Sequence, residues 1–239
     1  MGPPFSPHSA LAQTIQSVFF MVLLIAAVVF LVVAAGVVWS VVRYRWRGGE
    51  GEPRQVFGSR AAEIVWTVVP LLIVTGLFIV TVRAMVLIDA PQDSGRPPDL
   101  VITGHQWWWE ARYPSGVLAT WDIHIPVGHR LRARIESADV VHDFWAPELN
   151  RKMDAVPGRP SYIWLEADSP GTYSGTCSEF CGAQHAWMRF RVIAEPESQF
   201  EAWLQYMARG GDNDAPASDE LLFRAKCGEC HALSALAPS

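Results

Sequence analysis

Charged residues are absent from a long early part of the chain. Residues 15–42 contain no Asp, Glu, Lys or Arg, and residues 61–88 contain only Glu63 and Arg83. Each run exceeds the roughly 20 residues with which a helix crosses a bilayer. Half of all residues are hydrophobic, which is high for a soluble protein. The shortage of charge therefore argues against an ordinary soluble chain and predicts two membrane-spanning helices.

Lysine and arginine are also absent before the first of these runs. A secretory signal peptide begins with a basic segment and has a much shorter apolar run, so the sequence disfavours one. The segment between the two runs carries five arginines: Arg43, Arg45, Arg47, Arg54 and Arg60. Such positive loops stay in the cytoplasm. We therefore expect a hairpin in a bacterial inner (cell) membrane, with everything after about residue 89 on the periplasmic or extracellular side.

Two charges interrupt the second apolar run. An ionisable residue inside the membrane is costly and is a functional candidate by default. Near the end of a helix, however, a long side chain can reach the interface. Arg83 is interpreted in this second way, whereas Glu63 is kept as a candidate functional residue.

Cysteine is scarce, with four residues that all lie in two short motifs. The first motif is Cys177-Ser-Glu-Phe-Cys181-Gly-Ala-Gln-His185-Ala-Trp-Met188, named here the copper loop, and His142 lies upstream of it. Thiolate and thioether ligands select copper, which imidazole also binds. Two thiolates exceed what one blue-copper ion uses, and they can bridge two ions with His142 and His185 as terminal ligands. A dinuclear electron-transfer site is predicted, with a disulfide or a structural zinc site as alternatives.

The second motif, Cys227-Gly-Glu-Cys230-His231, has the attachment spacing of c-type haem. Residues 218–226 before it have a helical pattern, and residues 209–217 form a polar, flexible linker. Eight residues follow His231, and none is a Met or His that could be a second axial ligand. Residues 218–239 are therefore interpreted as an incomplete cytochrome c-like segment that could bind haem c covalently. A disulfide or an incidental match is the alternative.

Short apolar-polar alternations begin near Asp99 and are typical of β-strands. Residues 131–135, 162–166 and 188–193 are predicted strands, and Ser169-Pro-Gly171 is a turn signal. Several short strands at close spacing indicate an all-β sandwich or Greek-key barrel. The chain is accordingly divided into a hairpin segment, a β domain, a linker and a terminal segment: residues 1–92, 93–208, 209–217 and 218–239.

The part of the chain after the hairpin is acidic. From residue 90 onward it has 20 Asp and Glu against 13 Lys and Arg, a net charge of about −7. Such a surface steers a basic protein partner, and a nucleic-acid partner is not expected. Asp139 and Glu110 are candidates for the docking face, with ordinary surface charge as the alternative. Of the three consecutive tryptophans 107–109, at least one packs into the core, because neighbouring strand residues face opposite ways.

The chain resembles subunit II of haem-copper cytochrome c oxidases over about residues 10–205. The motifs that carry the resemblance are, besides the copper loop, residues 62–70 (AEIVWTVVP), 104–109 (GHQWWW), 141–147 (VHDFWAP) and 153–159 (MDAVPGR). The resemblance implies a transmembrane hairpin followed by a cupredoxin-like Greek-key domain. Within this family, the chain resembles the members that carry a cytochrome c domain fused to the C-terminus. Trp108 departs from the family pattern, in which many members have Tyr, but it stays aromatic.

The resemblance implies specific roles for single residues. Glu63 matches an acidic residue at the entrance of a proton path, and Trp107 matches the residue at which electrons enter, beside docked cytochrome c. The Glu179 carboxylate matches a ligand to magnesium at the border with subunit I. The implied ligands of the dinuclear copper (CuA) are His142, Cys177, Cys181, His185, Met188 and the backbone carbonyl of Glu179.

The predicted function is that of the electron-accepting subunit of an aerobic terminal oxidase, an oxygen-reducing and proton-translocating enzyme. Electrons would come from cytochrome c, or from a fused cytochrome c domain, and go to the haems of subunit I. Subunit I, subunit III and membrane lipid are the other implied partners. A quinol oxidase subunit would lack the copper ligands. A CuA-bearing nitric oxide reductase subunit and a membrane-anchored copper carrier are the alternatives.

Overall fold

The structure, a computed structural model, describes residues 6–45, 55, 58–92 and 95–209. Two long helices come first in this described part, followed by ten strands and a closing helix. The helices are α1 (Ala10–Arg43), α2 (Arg60–Ile88) and α3 (Glu197–Ala208). The strands are β1 (Leu100–His105), β2 (Trp108–Arg112), β3 (Leu118–Thr120), β4 (Asp122–Pro126), β5 (Leu131–Ser137), β6 (His142–Trp145), β7 (Met153–Ala155), β8 (Ser161–Leu165), β9 (Gly171–Cys177) and β10 (Arg189–Glu195).

Helices α1 and α2 are the predicted apolar runs, each slightly longer than predicted. Each begins after a serine whose side chain accepts a backbone N–H hydrogen bond and so caps the helix, Ser9 for α1 and Ser59 for α2. Large apolar side chains are exposed along both helices. A helix that is apolar all round belongs in a bilayer or a protein core. By length and composition both can cross a membrane, and they pack against each other.

The strands form two five-stranded sheets that pack face to face. The first has the order β3-β2-β1-β5-β8 and the second the order β4-β10-β9-β6-β7. Two pairs are parallel, β1 with β5 and β4 with β10, and the remaining pairs in the sheets are antiparallel. The core between the sheets contains fully buried side chains from both, including Ile102, Ile135, Ile123 and Phe144. The predicted sandwich is thereby confirmed, with β5, β8 and β10 close to the predicted strands.

The start of α1 is bonded directly to the sandwich. The backbone of His8 donates to Glu148 O at 2.8 Å and accepts from the Asp168 N–H at 2.8 Å. The Ser9 hydroxyl donates to Leu149 O, and the Gln13 amide donates to Asp168 at 3.0 Å. A cavity of about 1030 Å³ lies between the first turns of α1 and one end of the sandwich, which includes residues of the copper loop. The hairpin therefore fixes which end of the sandwich lies near the membrane.

The division of the chain into domains stays a prediction. Helix α3 ends at Ala208, and residues 210–239 lie outside the described part of the chain, including Cys227, Cys230 and His231 of the predicted haem motif.

Candidate metal centre

Strand pairing brings the distant ligand candidates together. His142 begins β6 and Cys177 ends β9, and these two strands pair antiparallel with Phe144 opposite Cys177. The chain then runs through the copper loop, where His185 begins a short 3-10 turn, and re-enters the second sheet at β10 directly after Met188. Three neighbouring strands of one sheet, β6, β9 and β10, thus place His142, Cys177 and Met188 at the same end of the sandwich.

The donor atoms form one compact group. The Sγ atoms of Cys177 and Cys181 are 3.8 Å apart, and each lies beside one imidazole: Cys177 Sγ is 3.9 Å from His142 Nδ1, and Cys181 Sγ is 3.5 Å from His185 Nδ1. Met188 Sδ is 3.7 Å from Cys181 Sγ. The backbone oxygen of Glu179 is 3.2 Å from Cys177 Sγ. All six predicted copper donors therefore converge.

The two cysteines are free thiols. A disulfide requires sulfur atoms about 2.05 Å apart, and their 3.8 Å separation leaves room for metal ions between them. His142 and Met188 are fully buried, and both cysteines are nearly so. A buried set of unpaired soft donors is the surrounding in which a redox-active copper site is built.

The thiols differ in acidity. Burial disfavours the Cys177 thiolate, but hydrogen bonds with His142 and with nearby backbone groups outweigh burial and lower the pKa of Cys177. Burial and the neighbouring Cys177 thiolate raise the pKa of Cys181. Cys177 therefore ionises first, and a bound cation is needed to ionise both thiols near neutral pH.

His142 is held on both ring nitrogens. Its Nδ1 faces Cys177, and its Nε2 lies 2.8 Å from Asp139 Oδ1. Against the effect of burial, hydrogen bonds from His142 and from the backbone N–H groups of Gln106 and Val140 lower the pKa of Asp139. An ionised carboxylate only accepts hydrogen bonds, so Nε2 carries the proton and Nδ1 is left for the metal.

The three tryptophans 107–109 have three different surroundings. The Trp107 Nε1–H donates to the backbone oxygen of Cys181 at 3.1 Å. Trp108 stacks on His105 with ring centroids 4.1 Å apart. Trp109 is fully buried and its edge contacts the His142 ring at 5.8 Å between centroids. Trp109 is thus the core residue of the three, and Trp107 is the one bonded to a ligand residue.

Glu179 lines a cavity of about 630 Å³ next to the copper loop. Asp143, Asp154, Lys152 and Arg159 line the same cavity. Asp143 and Asp154 lie opposite each other on β6 and β7, and Asp143 Oδ1 is buried with no hydrogen-bond partner among the described residues. Burial, followed by the hydrogen bond with Asp154, raises the pKa of Asp143 to about 7.

Glu63 does not belong to the donor group. It lies in the first turn of α2, while the sandwich follows the last turn. At 1.5 Å per residue, the 25 positions to Ile88 correspond to roughly 40 Å. Glu63 therefore lies at the end of α2 that is remote from the sandwich, and its role in a proton path stays a prediction.

Sequence reasoning missed several contributors to the site. The Gln106 side chain donates to Cys181 O at 2.8 Å. Gly104 leaves space for His142, since a Cβ at this position would lie 2.9 Å from His142 Cδ2. From the sequence, Asp139 is a candidate for a docking face or ordinary surface charge, and not a contact of His142. No local pattern signals the contacts of Gln106 and Gly104, because they join segments that are far apart along the chain, whereas Asp139 lies three residues before His142.

Comparison with known proteins identifies the family. The family described as cytochrome c oxidase subunit II, transmembrane domain, matches residues 6–84, and the periplasmic domain of the same subunit matches residues 118–195. Cytochrome c oxidase subunit 2 of Thermostichus vulcanus is 31% identical over 244 residues, which cover 80% of this chain and 74% of the relative. The chain belongs to the cytochrome c oxidase subunit II family. Membership implies a CuA copper centre and a membrane-anchored chain with an extramembrane domain.

Some members of the subunit II family are longer than this chain. Cytochrome c oxidase subunit 2 of Alkalihalophilus pseudofirmus is 36% identical over 208 residues, which cover 84% of this chain and 61% of the relative. The chain thus spans about three fifths of that relative's length. Among solved structures, the periplasmic domain of subunit II of cytochrome oxidase from Bradyrhizobium japonicum is 29% identical and covers 48% of this chain and 97% of that domain, with a TM-score of 0.45.

Proposed function

We propose that this chain accepts electrons from cytochrome c at a dinuclear copper centre and delivers them to the haems of oxidase subunit I. There oxygen is reduced to water, coupled to proton translocation. The observation that carries the proposal is the pair of free thiols. Their sulfur atoms are 3.8 Å apart, and one histidine Nδ1 lies 3.9 Å from Cys177 and another 3.5 Å from Cys181.

The donor set fits a copper pair better than a zinc ion. A structural zinc site is complete with four nitrogen or sulfur ligands, whereas Met188 Sδ and Glu179 O add two further donors here. Cys177 and Cys181 would bridge the two ions, and His142 and His185 would each bind one. When bound, the copper pair supplies a one-electron relay whose charge change is shared by two ions.

Trp107 is the proposed residue at which electrons enter. Its indole N–H is hydrogen bonded to the backbone oxygen of Cys181, so the ring is one hydrogen bond away from a bridging ligand. This contact also fixes the ring orientation. Trp108 and Trp109 have no such bond in the described structure: Trp108 stacks on His105, and Trp109 is in the core.

The sandwich lies on the periplasmic or extracellular side of a bacterial inner membrane in this proposal. The arginine-rich segment between α1 and α2 supports that orientation. Glu63, at the cytoplasmic end of α2, is then placed to receive protons for a path into subunit I. The Glu179 carboxylate, in a cavity beside the copper loop, would bind magnesium together with subunit I.

A first experiment tests the electron path with matched variants. Reduction of the copper-loaded, detergent-solubilised chain by reduced cytochrome c is followed by stopped-flow absorbance. Trp107→Phe removes the hydrogen bond to Cys181, and we expect it to slow reduction by about tenfold or more, the factor that corresponds to about 1.4 kcal/mol. Trp108→Phe is the control and should leave the rate nearly unchanged. Equal rates in both variants would contradict the assignment of Trp107.

A second experiment tests the partner and the reaction. The chain is purified from its native membrane under mild detergent, and co-purification of a large haem-bearing subunit is expected. The purified complex should consume oxygen with reduced cytochrome c. Consumption of nitric oxide in place of oxygen would instead establish a nitric oxide reductase subunit. Purification of the chain alone, with copper, would support a membrane-anchored carrier.

A further inference from the structure

Asp139 contacts two separate parts of the candidate copper site. Its Oδ1 accepts a hydrogen bond from His142 Nε2 at 2.8 Å, and its Oδ2 accepts one from the backbone N–H of Gln106 at 2.7 Å. The Val140 N–H also donates to Oδ1, at 2.6 Å. One carboxylate therefore holds a copper ligand and the residue that precedes Trp107.

The Gln106–Trp107 segment, which Asp139 holds, is itself hydrogen bonded to Cys181. The side chains of Gln106 and Trp107 both donate to the backbone oxygen of Cys181, at 2.8 and 3.1 Å. A continuous set of hydrogen bonds thus runs from His142 through Asp139 and Gln106 to Cys181. It joins His142, a ligand on a strand, to Cys181, a ligand in the loop.

We propose that Asp139 is a positioning residue that sets the reduction potential of the copper pair. It keeps His142 in the tautomer that presents Nδ1 to the metal, and it anchors the Gln106–Trp107 segment against Cys181. This inference rests on the proposed function and deepens it. It differs from the docking role that the sequence suggested for Asp139.

The direction of the effect follows from charge. An imidazole that donates its second N–H to a carboxylate is a more basic ligand and is fixed in orientation. Both the added basicity and the nearby negative charge favour the oxidised, more positive copper pair. Removing the carboxylate charge therefore raises the reduction potential.

Glu110 provides the matched control. It was assigned to the same acidic face, but in the structure it bonds to Arg112 at 3.1 Å, on the same strand. Glu110→Gln and Asp139→Asn each remove one negative charge and keep the side-chain shape. An effect of general surface charge would be similar in both variants. An effect that acts through His142 would appear only in the Asp139 variant.

The test is a redox titration of the copper-loaded full chain, monitored by EPR. An Asn at position 139 has an NH2 group, which only donates, in place of one carboxylate oxygen, so it cannot accept at both the Oδ1 and the Oδ2 position as Asp139 does. We expect Asp139→Asn to shift the reduction equilibrium about tenfold toward the reduced state, which is about 59 mV for one electron. Copper affinity should fall about 10- to 100-fold, and Glu110→Gln should change neither quantity.

Failure of this inference can be distinguished from failure of the proposed function. If the wild-type chain binds no paired copper, the proposed function fails. If Asp139→Asn keeps paired copper at an unchanged potential, or if both variants shift equally, only the role of Asp139 is overturned.

A measurement on the metal-free wild-type chain covers the case in which the variant does not fold. At alkaline pH, where the ring is neutral, ¹⁵N NMR of His142 should show the proton on Nε2. A proton on Nδ1 would overturn the positioning role.

Discussion

The two halves of the candidate copper site are held in different ways. His142 and Cys177 lie at the ends of paired strands and are buried, and both nitrogens of His142 have partners. Cys181 and His185 lie in the copper loop, with His185 half-buried on a short 3-10 turn. Strand pairing therefore positions the first half, while the second half depends on a few contacts of the loop.

The difference gives Gln106 and Trp107 a structural role besides the electron entry proposed for Trp107. Gln106 and Trp107 both bond to Cys181 O, and these bonds tie the loop-borne half to the sandwich. A site that keeps its geometry in both oxidation states needs both halves to be fixed. Gln106 and Trp107 thus contribute to the rigidity of the site, and the electron path through Trp107 is the proposal made above.

The largest effect is expected from removal of a bridging thiol. Cys177→Ser and Cys181→Ser each remove one of the two sulfur atoms that can bridge the ions, so the dinuclear EPR signal should disappear in both variants. Membrane insertion should be unchanged, because the hairpin is separate from the loop. Cys227→Ser, which removes a cysteine of the other sequence motif, is the control. Normal copper content in both loop variants would refute the ligand assignment.

The two histidines should respond differently to truncation. His142→Ala and His185→Ala should each lower copper affinity by at least the 10- to 100-fold typical of losing a supporting residue. External imidazole should restore the signal of the His185 variant, whose site is partly open to solvent, and not that of the buried His142 variant. Copper titrations with and without imidazole measure this. Rescue of both variants would show that the two halves are equally accessible.

A substitution that crowds the His142 ring should affect only the half of the site formed by His142 and Cys177. In Gly104→Ala the new methyl group would lie 2.9 Å from His142 and 3.1 Å from Trp109. We expect a loss of about 1–3 kcal/mol in the free energy of unfolding, the usual cost of overpacking a core, together with reduced copper content. Gly36→Ala in α1, where nothing lies within 4 Å, is the control. Denaturant unfolding followed by tryptophan fluorescence compares them, and equal stability of both would contradict the close packing around His142.

The smallest effect concerns pH. The pKa of Asp143 is raised to about 7 in the folded chain and is near 4 when unfolded. The protonated carboxyl therefore contributes stability that is complete below about pH 4 and is lost as the pH rises through about 7.

Asp143→Asn should remove this dependence in the metal-free chain. We expect it to stabilise the chain more at pH 8 than at pH 5, by on the order of 1–3 kcal/mol. Unfolding curves at the two pH values test the prediction. A variant that changes stability equally at both values would show that Asp143 does not titrate in this range.

The copper loop could be predicted from sequence because its ligands are close together in the chain. Cys177, Cys181, His185 and Met188 have a spacing that a loop can close around a metal. The strand alternation around residues 131–135 likewise predicted β5. Both signals are local, and periodicity or spacing is enough to detect them.

The surroundings of the ligands could not be predicted in this way. Asp139 looks like surface charge in the sequence, because only the fold brings it against Gln106. The same holds for Gly104, whose lack of a side chain matters only because β1 passes the His142 ring. The carboxyl pair of Asp143 and Asp154 arises from the register of β6 and β7. Register and long-range packing decide these contacts.

The central claim is that two copper ions share the thiols of Cys177 and Cys181. Low-temperature EPR of the copper-loaded chain tests it most directly. One unpaired electron shared equally by two copper nuclei of spin 3/2 gives seven hyperfine lines, and this pattern is predicted. Four lines would show a single copper ion, and a chain that takes up no copper would contradict the account altogether.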